Sequence, residues 1–409
     1  MNYAISAGVM MEDFDNINDW TITGTGSTQS NDTENIKTGS NSIKIITGVA
    51  TTTSIVKTIS FSNPNPGIFG FWFYIDDTAN ISQLDIFLSS TSSISSKYFQ
   101  KSFTTGSGVF SSGWNFLTVP NASWTSVGGE TWDNTMIRLK FRVWVPSSKI
   151  STVNIDSLYY GLYAKPKCLI MFDDGWKSAY DYGFNYLKSL GLKATYYIIS
   201  SANSSNYMTT SEMSEMYALG NDICNHSSDI VLLATLDYQG VVTKITTCSD
   251  YLENLGFTRS YKHIAYPGGS YNNTVLQACE DLGILTGVTV NSSNISTIKG
   301  VKNYLTLSRY NVANTTSLAT AKGYIDTAIN NGETVALLFH KLATLPTIST
   351  EWSISDFQSL VNYIKSKTDD GLIDVQTISE WKKGMDGYWQ IENSNSWNTK
   401  TTGSWYTRN

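Results

Sequence analysis

The pattern of apolar residues changes period once along this 409-residue chain, close to Ala164, and that change constrains the fold more than any other feature. Up to about residue 162 the apolar residues come in short alternating or continuous runs, such as Asn41 to Thr47, Gly67 to Ile75 and Ile137 to Val145, separated by Gly, Ser, Asn and Pro clusters. Strand side chains alternate between two faces, so such runs with almost no helical periodicity predict an antiparallel β-sandwich over residues 1–162. Beyond Ala164 an apolar run from Cys168 to Phe172 leads into Tyr180, Phe184 and Leu187 at helical spacing, closed by Gly191. Strand-like runs recur at Ala194 to Ile199, Asp222 to Asn225, His263 to Tyr266, Leu285 to Val288 and Thr334 to Phe339, with helical stretches between most of them. Ser353 and Asp356 give the start signal of a helix that places Phe357, Leu360, Val361 and Ile364 on one face. Repeated strand and helix units predict a parallel α/β barrel or sheet over residues 163–385, with its chemistry at the C-terminal ends of the strands. Residues 386–409 hold Tyr388, Trp389, Trp397, Trp405 and Tyr406 among Asn and Thr and read as a tail or an interface arm.

Charged residues make up only 15% of the chain and the net charge is −6, which leaves no basic footprint for nucleic acid. A surface rich in hydroxyls and amides suits sugars better. Met1 to Met11 has no basic n-region, so neither a signal peptide nor an anchor is read there, and no apolar stretch is long enough to span a bilayer. The composition nonetheless looks secreted, and the expected location is extracellular, cell-surface or virion-associated. Cys168, Cys224, Cys248 and Cys279 show no CxxC spacing and are expected as buried free thiols. Oligomeric state stays open.

Four of the expected strands run into unusual residues: Asp173 and Asp174, His226, the run Tyr266-Pro267-Gly268-Gly269, and His340. Strand ends of a parallel barrel converge on one rim, and two of the chain's three histidines lie at such ends. Paired carboxylates there suit hydrolysis, one holding a divalent cation while its neighbour takes a proton from water. A histidine across the site can protonate the leaving amine or alcohol. Asp173 and Asp174 also read as an exposed Asp-Asp-Gly turn, and His263, inside a strand, reads as a core or hydrogen-bonded residue.

Over roughly residues 165–385 these segments, in this order, resemble the polysaccharide deacetylases, carbohydrate esterase family four. The resemblance implies a distorted (β/α) barrel that removes acetyl groups, N-linked more than O-linked, from a polysaccharide, with a divalent metal, Zn²⁺ foremost, as cofactor. Met171-Phe172-Asp173-Asp174-Gly175 is similar to the first motif and implies Asp173 as base and Asp174 as metal ligand. Asn225-His226-Ser227 resembles the second motif and implies His226 as a ligand, but Ile230 stands where that motif has its second histidine. Asp229, one position earlier, is a candidate third ligand, with a turn cap as its equal alternative. Ala265-Tyr266-Pro267-Gly268-Gly269 resembles the third motif in its arginine-free variant, which implies Tyr266 and Pro267 at the substrate and the Gly268 N–H as oxyanion donor. Leu307-Ser308-Arg309-Tyr310 resembles that variant's strand-borne arginine, so Arg309 pairs with Asp173 unless it is a surface salt-bridge residue. Leu338-Phe339-His340 resembles the fifth motif, implying Leu338 in the acetyl pocket and His340 as general acid. Ile230 favours a second reading, a degenerate carbohydrate-binding or adhesion protein of a phage particle.

The first half resembles the jelly-roll carbohydrate-binding modules, on Glu12-Asp13-Phe14, Trp20, Gly39-Ser40-Asn41-Ser42, Trp114 and Asn154-Ile155-Asp156. That resemblance implies a structural Ca²⁺ between Glu12 and Asp156, unless both are solvated carboxylates. Trp72, Trp114, Trp124 and Trp144 serve either the core or a sugar, the core being the default.

Overall fold

A computed structural model describes residues 8–49, 52–105, 110–296, 301 and 303–385. The tail expected over residues 386–409 lies outside the described residues. The chain divides between Tyr163 and Ala164 into two compact units.

The first unit begins with β1 (Val9–Glu12), β2 (Trp20–Thr23), β3 (Thr28–Asp32), β4 (Ser42–Ile46), β5 (Thr52–Phe61) and β6 (Ile68–Ile75). It continues with β7 (Gln83–Ser89), β8 (Tyr98–Thr104), β9 (Gly113–Val119), β10 (Thr125–Val127), β11 (Met136–Trp144) and β12 (Thr152–Leu162). Two antiparallel sheets result, one ordered β3-β4-β12-β6-β9 with β1 beside β12, the other β10-β8-β7-β11-β5-β2. The expected sandwich is therefore observed, and its cause is visible in β11. There Leu139, Phe141 and Val143 are buried while Arg138, Lys140, Arg142 and Trp144 between them are half-buried. The inward set meets Phe69, Phe71, Phe73 and Ile75 of β6, with Phe71 and Phe141 rings 5.1 Å apart. Each such side chain, fully buried, contributes about 1.5–3 kcal/mol. Trp124 belongs to this core, as the default reading expects.

The calcium expectation is corrected here. Glu12 is ion-paired with Lys57 at 2.8 Å and accepts the Phe14 N–H, while Asp156 accepts the N–H groups of Lys37 and Thr38 at 2.6 and 3.2 Å and the Ser157 hydroxyl at 2.6 Å. Calcium needs oxygen ligands, and these carboxylates face N–H, O–H and ammonium donors instead. Among the described residues no group of three His, Cys, Asp or Glu could hold a metal.

The second unit is a curled parallel sheet: β13 (Lys167–Phe172), β14 (Thr195–Ile198), β15 (Asp222–Asn225), β16 (His263–Ala265), β17 (Thr286–Val288), β18 (Tyr310–Asn311) and β19 (Thr334–Phe339). The order is β17-β16-β15-β14-β13-β19-β18. A two-stranded parallel pair, β20 (Lys341–Ala343) and β21 (Glu351–Ser353), follows β19, and β22 (Asp374–Val375) adds beside β13. The two edges of the sheet are joined by the segment leading into β18. Leu307 bridges Val288 on one side, and Tyr310 pairs with Leu337 on the other. Around the sheet lie α1 (Asn185–Ser189), α2 (Thr210–Ala218), α3 (Tyr238–Asn254), α4 (Asn273–Asp281), α5 (Leu318–Asn331), α6 (Ile354–Asp369) and α7 (Ile378–Met385). Ser353 caps α6 by accepting the Asp356 N–H, and Phe357, Leu360, Val361 and Ile364 are buried, as expected. The first helical stretch differs from expectation in opening as a π turn, Ala179–Phe184. Gly183 faces the Phe172 ring there, too close for a Cβ. All four cysteines are free and buried.

Candidate active site

Alternation along the parallel strands decides which residues share the inside of the curl. In β13 Ile170 and Phe172 turn out to the helix layer, so Leu169, Met171 and the following Asp173 turn in. By the same count Cys224 and His226, and Ala336, Leu338 and His340, face inward while Ile223, Leu337 and Phe339 join the outer core. Asp173 is thus aimed into the curl at a strand end, its N–H bound to the Phe339 carbonyl at 2.9 Å. The closing segment brings Arg309 to it. Arg309 Nη1 and Nη2 donate to the two oxygens of Asp173 at 2.8 and 2.9 Å, and Nε donates to the Thr289 carbonyl at 3.0 Å. Arg309 is 0% exposed, so the surface salt-bridge alternative falls away. Burial works to raise the Asp173 pKa, but the Arg309 charge, aided by His226 and His340, outweighs it and holds the carboxyl below its usual range.

Asp174 and His226 form the neighbouring pair. His226 Nε2 lies 3.3 Å from Asp174 Oδ1 and 3.9 Å from Asp173 Oδ2. Its Nδ1 is 2.7 Å from the Ala265 carbonyl, which fixes the ring and directs Nε2 at the carboxylates. Opposing burial, His226, His340 and Trp176 together hold Asp174 down to about 2, and the two carboxylates raise His226 above its ordinary value against the burial that lowers it. Asp174 and Ser227 have positive φ, 71° and 68°, conformations costing about 1–3 kcal/mol for such residues. Strain is therefore stored on either side of the pair. His340 is pushed below its usual pKa by burial, against the pull of Asp173 and Asp174.

The remaining expectations divide. The turn after β16 carries Gly268 and Gly269 at φ 59° and 67°, and its own hydrogen bonds run from Gly269 N–H to the Tyr266 carbonyl and from Ser270 N–H to that of Pro267. The Gly268 N–H stands outside them. Leu338 is buried, and Pro267 is buried in the turn. Tyr266 requires correction as a substrate contact: its ring packs in the core near Leu233 and Val241, and its hydroxyl donates to the Leu305 carbonyl at 2.9 Å. Asp229 also requires correction. Its carboxylate is ion-paired with Lys244 of α3 and accepts the Val231 N–H at 3.2 Å, so it is the turn cap and not a third ligand. Ile230 is 74% exposed on the same loop. His263 is buried and hydrogen-bonded to Thr286, as expected.

Sequence reasoning missed Trp176, whose indole N–H donates to Asp174 Oδ2 at 2.8 Å. Its ring stacks on Tyr207 at 4.5 Å, with the Lys341 ammonium 3.8 Å from its centroid. The signal was available, since Trp176 follows the Asp-Asp-Gly run directly. The donor set of Asp174 and His226 fits a divalent cation: a carboxylate oxygen and an imidazole nitrogen converge, and a carbonyl holds the far ring nitrogen. With no third His, Cys, Asp or Glu converging among the described residues, other positions would fall to water or substrate.

The family model of polysaccharide deacetylase matches residues 163–287. Residues 163–287 thus carry the sequence pattern of a polysaccharide deacetylase. Over 137 residues, 33% of this chain and 49% of the other, it is 33% identical to the polysaccharide deacetylase-type protein YxkH of Bacillus subtilis (strain 168). Over 150 residues it is 27% identical to a poly-beta-1,6-N-acetyl-D-glucosamine N-deacetylase of Staphylococcus epidermidis, covering 33% of this chain and 52% of that one. The chain thus spans about half the length of these relatives. Among solved structures, the Streptococcus pyogenes deacetylase PplD in complex with acetate is 27% identical, covering 38% of this chain and 69% of that chain at a TM-score of 0.35.

Proposed function

We propose that the deacetylase domain hydrolyses acetyl groups of a polysaccharide, N-acetyl in preference to O-acetyl, outside the cell or on a particle surface. The observation that carries this reading is the buried Asp173 carboxylate, held ionised by Arg309 and set 3.9 Å from the imidazole nitrogen that Asp174 shares. Asp173 accepts the proton of the attacking water, and the Arg309 fork keeps its oxygens aimed while doing so. A divalent ion, Zn²⁺ or one similar, held by Asp174 and His226, would polarise the acetyl carbonyl and lower the pKa of water. The Gly268 N–H donates to the carbonyl oxygen as negative charge develops there. His340 donates a proton to the departing amine, and Leu338 walls the space for the acetyl methyl. The N-acetyl preference agrees with the Staphylococcus epidermidis relative, which acts on an N-acetylglucosamine polymer.

The second reading, a carbohydrate-binding or adhesion protein, is favoured by one observation, the exposed Ile230 beside an Asp229 that Lys244 occupies. Acetate release from acetylated glucosamine polymers and from acetylated xylan, measured together with metal content, decides between them. The enzyme reading expects acetate from the amide polymer above all, lost on chelation and regained with Zn²⁺ or Mn²⁺. A protein that takes up no metal and frees no acetate from either polymer is the binding protein.

A further inference from the structure

The outer face of the second sandwich sheet carries a pattern that its core does not require. Past the bulge in β11, every outward position holds a cation or an aromatic: Arg138, Lys140, Arg142 and Trp144. Alternate strand residues stand about 7 Å apart, so the row runs about 20 Å along the sheet. Opposite Arg142 in the register lies Asp85 of β7, which is 0% exposed although it points away from the core. It is covered by the side chains that converge on it. Trp144 Nε1 donates at 2.7 Å, Arg142 Nε at 2.8 Å and Gln83 Nε2 at 2.6 Å. Asp85 therefore acts as a buried anchor that fixes the Trp144 ring and the Arg142 guanidinium, which also lies 4.7 Å over Phe87.

The anchor neutralises one cation of the row. Arg138 donates to neutral acceptors, the Ser92 carbonyl and the Thr58 hydroxyl, and Lys140 sits 5.2 Å over the Phe87 ring. Among the described residues neither has a carboxylate within ion-pair distance. Asp85 is the only carboxylate in all six strands of this sheet, which leaves the face with an excess of positive charge in a protein whose net charge is −6. Burial and the neighbouring Arg142 push Lys140 below its ordinary range, so an incoming anion relieves it.

We propose that this face binds a polysaccharide chain bearing carboxylates, the row from Arg138 to Trp144 running along the chain. Charge complementarity selects the class. Three cations against one carboxylate favour an acidic chain over a neutral one. The side chains around the row, Gln83, Gln100 and Ser102, are amides and a hydroxyl suited to sugar hydroxyls. The proposal does not rest on the catalytic reading, since it concerns the first unit alone.

Affinity electrophoresis of the full chain in gels holding polygalacturonate, neutral mannan or dextran sulfate tests it. Retardation is expected in polygalacturonate at about 0.1 M salt and should vanish near 1 M, where the screening length falls from ~10 Å to ~3 Å. The double variant Arg138→Gln/Lys140→Gln should lose roughly tenfold in affinity, with its melting temperature and acetate release unchanged. Lys140→Gln alone repeats the test should the double variant misfold. The proposal is overturned by no retardation in polygalacturonate, by equal retention of a folded variant, or by mannan retarding as strongly. Dextran sulfate retarding more strongly than polygalacturonate would overturn the carboxylate assignment.

Discussion

Arg309 and Asp173 meet through two parallel hydrogen bonds, 2.8 and 2.9 Å long, in a place where neither is more than 3% exposed. Such a pair is costly to break from one side, because the surviving charge is left buried without a partner. Arg309→Met should therefore lower stability by about 3–5 kcal/mol in urea denaturation of the second unit's transition. Arg309→Lys keeps the charge but loses the fork, and should sit between the two. A loss below about 1 kcal/mol for the methionine variant would mean that water reaches Asp173.

His340→Ala should cost roughly 10²-fold or more in the rate of acetate release, the scale of a missing general acid, with the fold intact. The side chain follows β19 directly, and the alternation of the strand turns it to the inward face, opposite Leu337 and Phe339 of the helix-side core. A rate within a few-fold of the wild type removes it from the reaction.

Trp176→Phe removes one N–H and keeps an aromatic ring between Tyr207 and Lys341. The bond to Asp174 Oδ2 orients a carboxylate proposed to hold the cation, so Zn²⁺ or Mn²⁺ affinity should fall about 10–100-fold by titration calorimetry. Unchanged affinity with slower turnover would place Trp176 at the substrate instead.

The legible parts of the site were those carried by a single strand and its end. Asp173, His226 and His340 each close an apolar strand, and the strand ends of a parallel barrel converge on one rim, which was enough to group them. Arg309 was harder, because Leu307-Ser308-Arg309-Tyr310 is no apolar run. It is a closing segment defined by partners on two sides, Val288 and Leu337. Tyr266 was misplaced because the chain alternates once more after Ala265 and sends the ring outward to Leu305. Asp229 was misplaced because its partner, Lys244, lies 15 residues further on, on α3, a pairing that loop spacing does not reveal. In the first unit the alternation gave the sandwich, but nothing in Glu12 or Asp156 announced Lys57 and the Lys37 and Thr38 amides.

The Asp229 result reverses an expectation and can be checked directly. Asp229→Ala should leave metal affinity unchanged, since the carboxylate is occupied by Lys244 and the Val231 N–H. The expected cost is about 1 kcal/mol of stability, from a lost turn cap and a partly exposed ion pair. A fall in affinity of orders of magnitude would restore Asp229 as a ligand in the metal-bound state.

Asp32, in the first unit, provides the pH-dependent prediction. Against the effect of burial, the Glu34 and Asn35 N–H groups and the Asn35 and Asn154 amides hold its pKa down to about 2, from an ordinary 3.8. Because the folded value is the lower one, the folded state binds fewer protons than the unfolded state between the two values, and stability falls as the pH falls. The contribution of Asp32 is therefore complete above about pH 4–5 and is lost as the pH drops toward the folded value near 2. Asp32→Ala should cost on the order of 1–3 kcal/mol at neutral pH, the range for hydrogen bonds to a charged acceptor. The gap between wild type and variant in the first unit's urea midpoint should shrink steadily below about pH 4. A gap of constant size from pH ~7 to ~2.5 would show that the carboxylate's charge contributes nothing and that Asp32 serves only by packing.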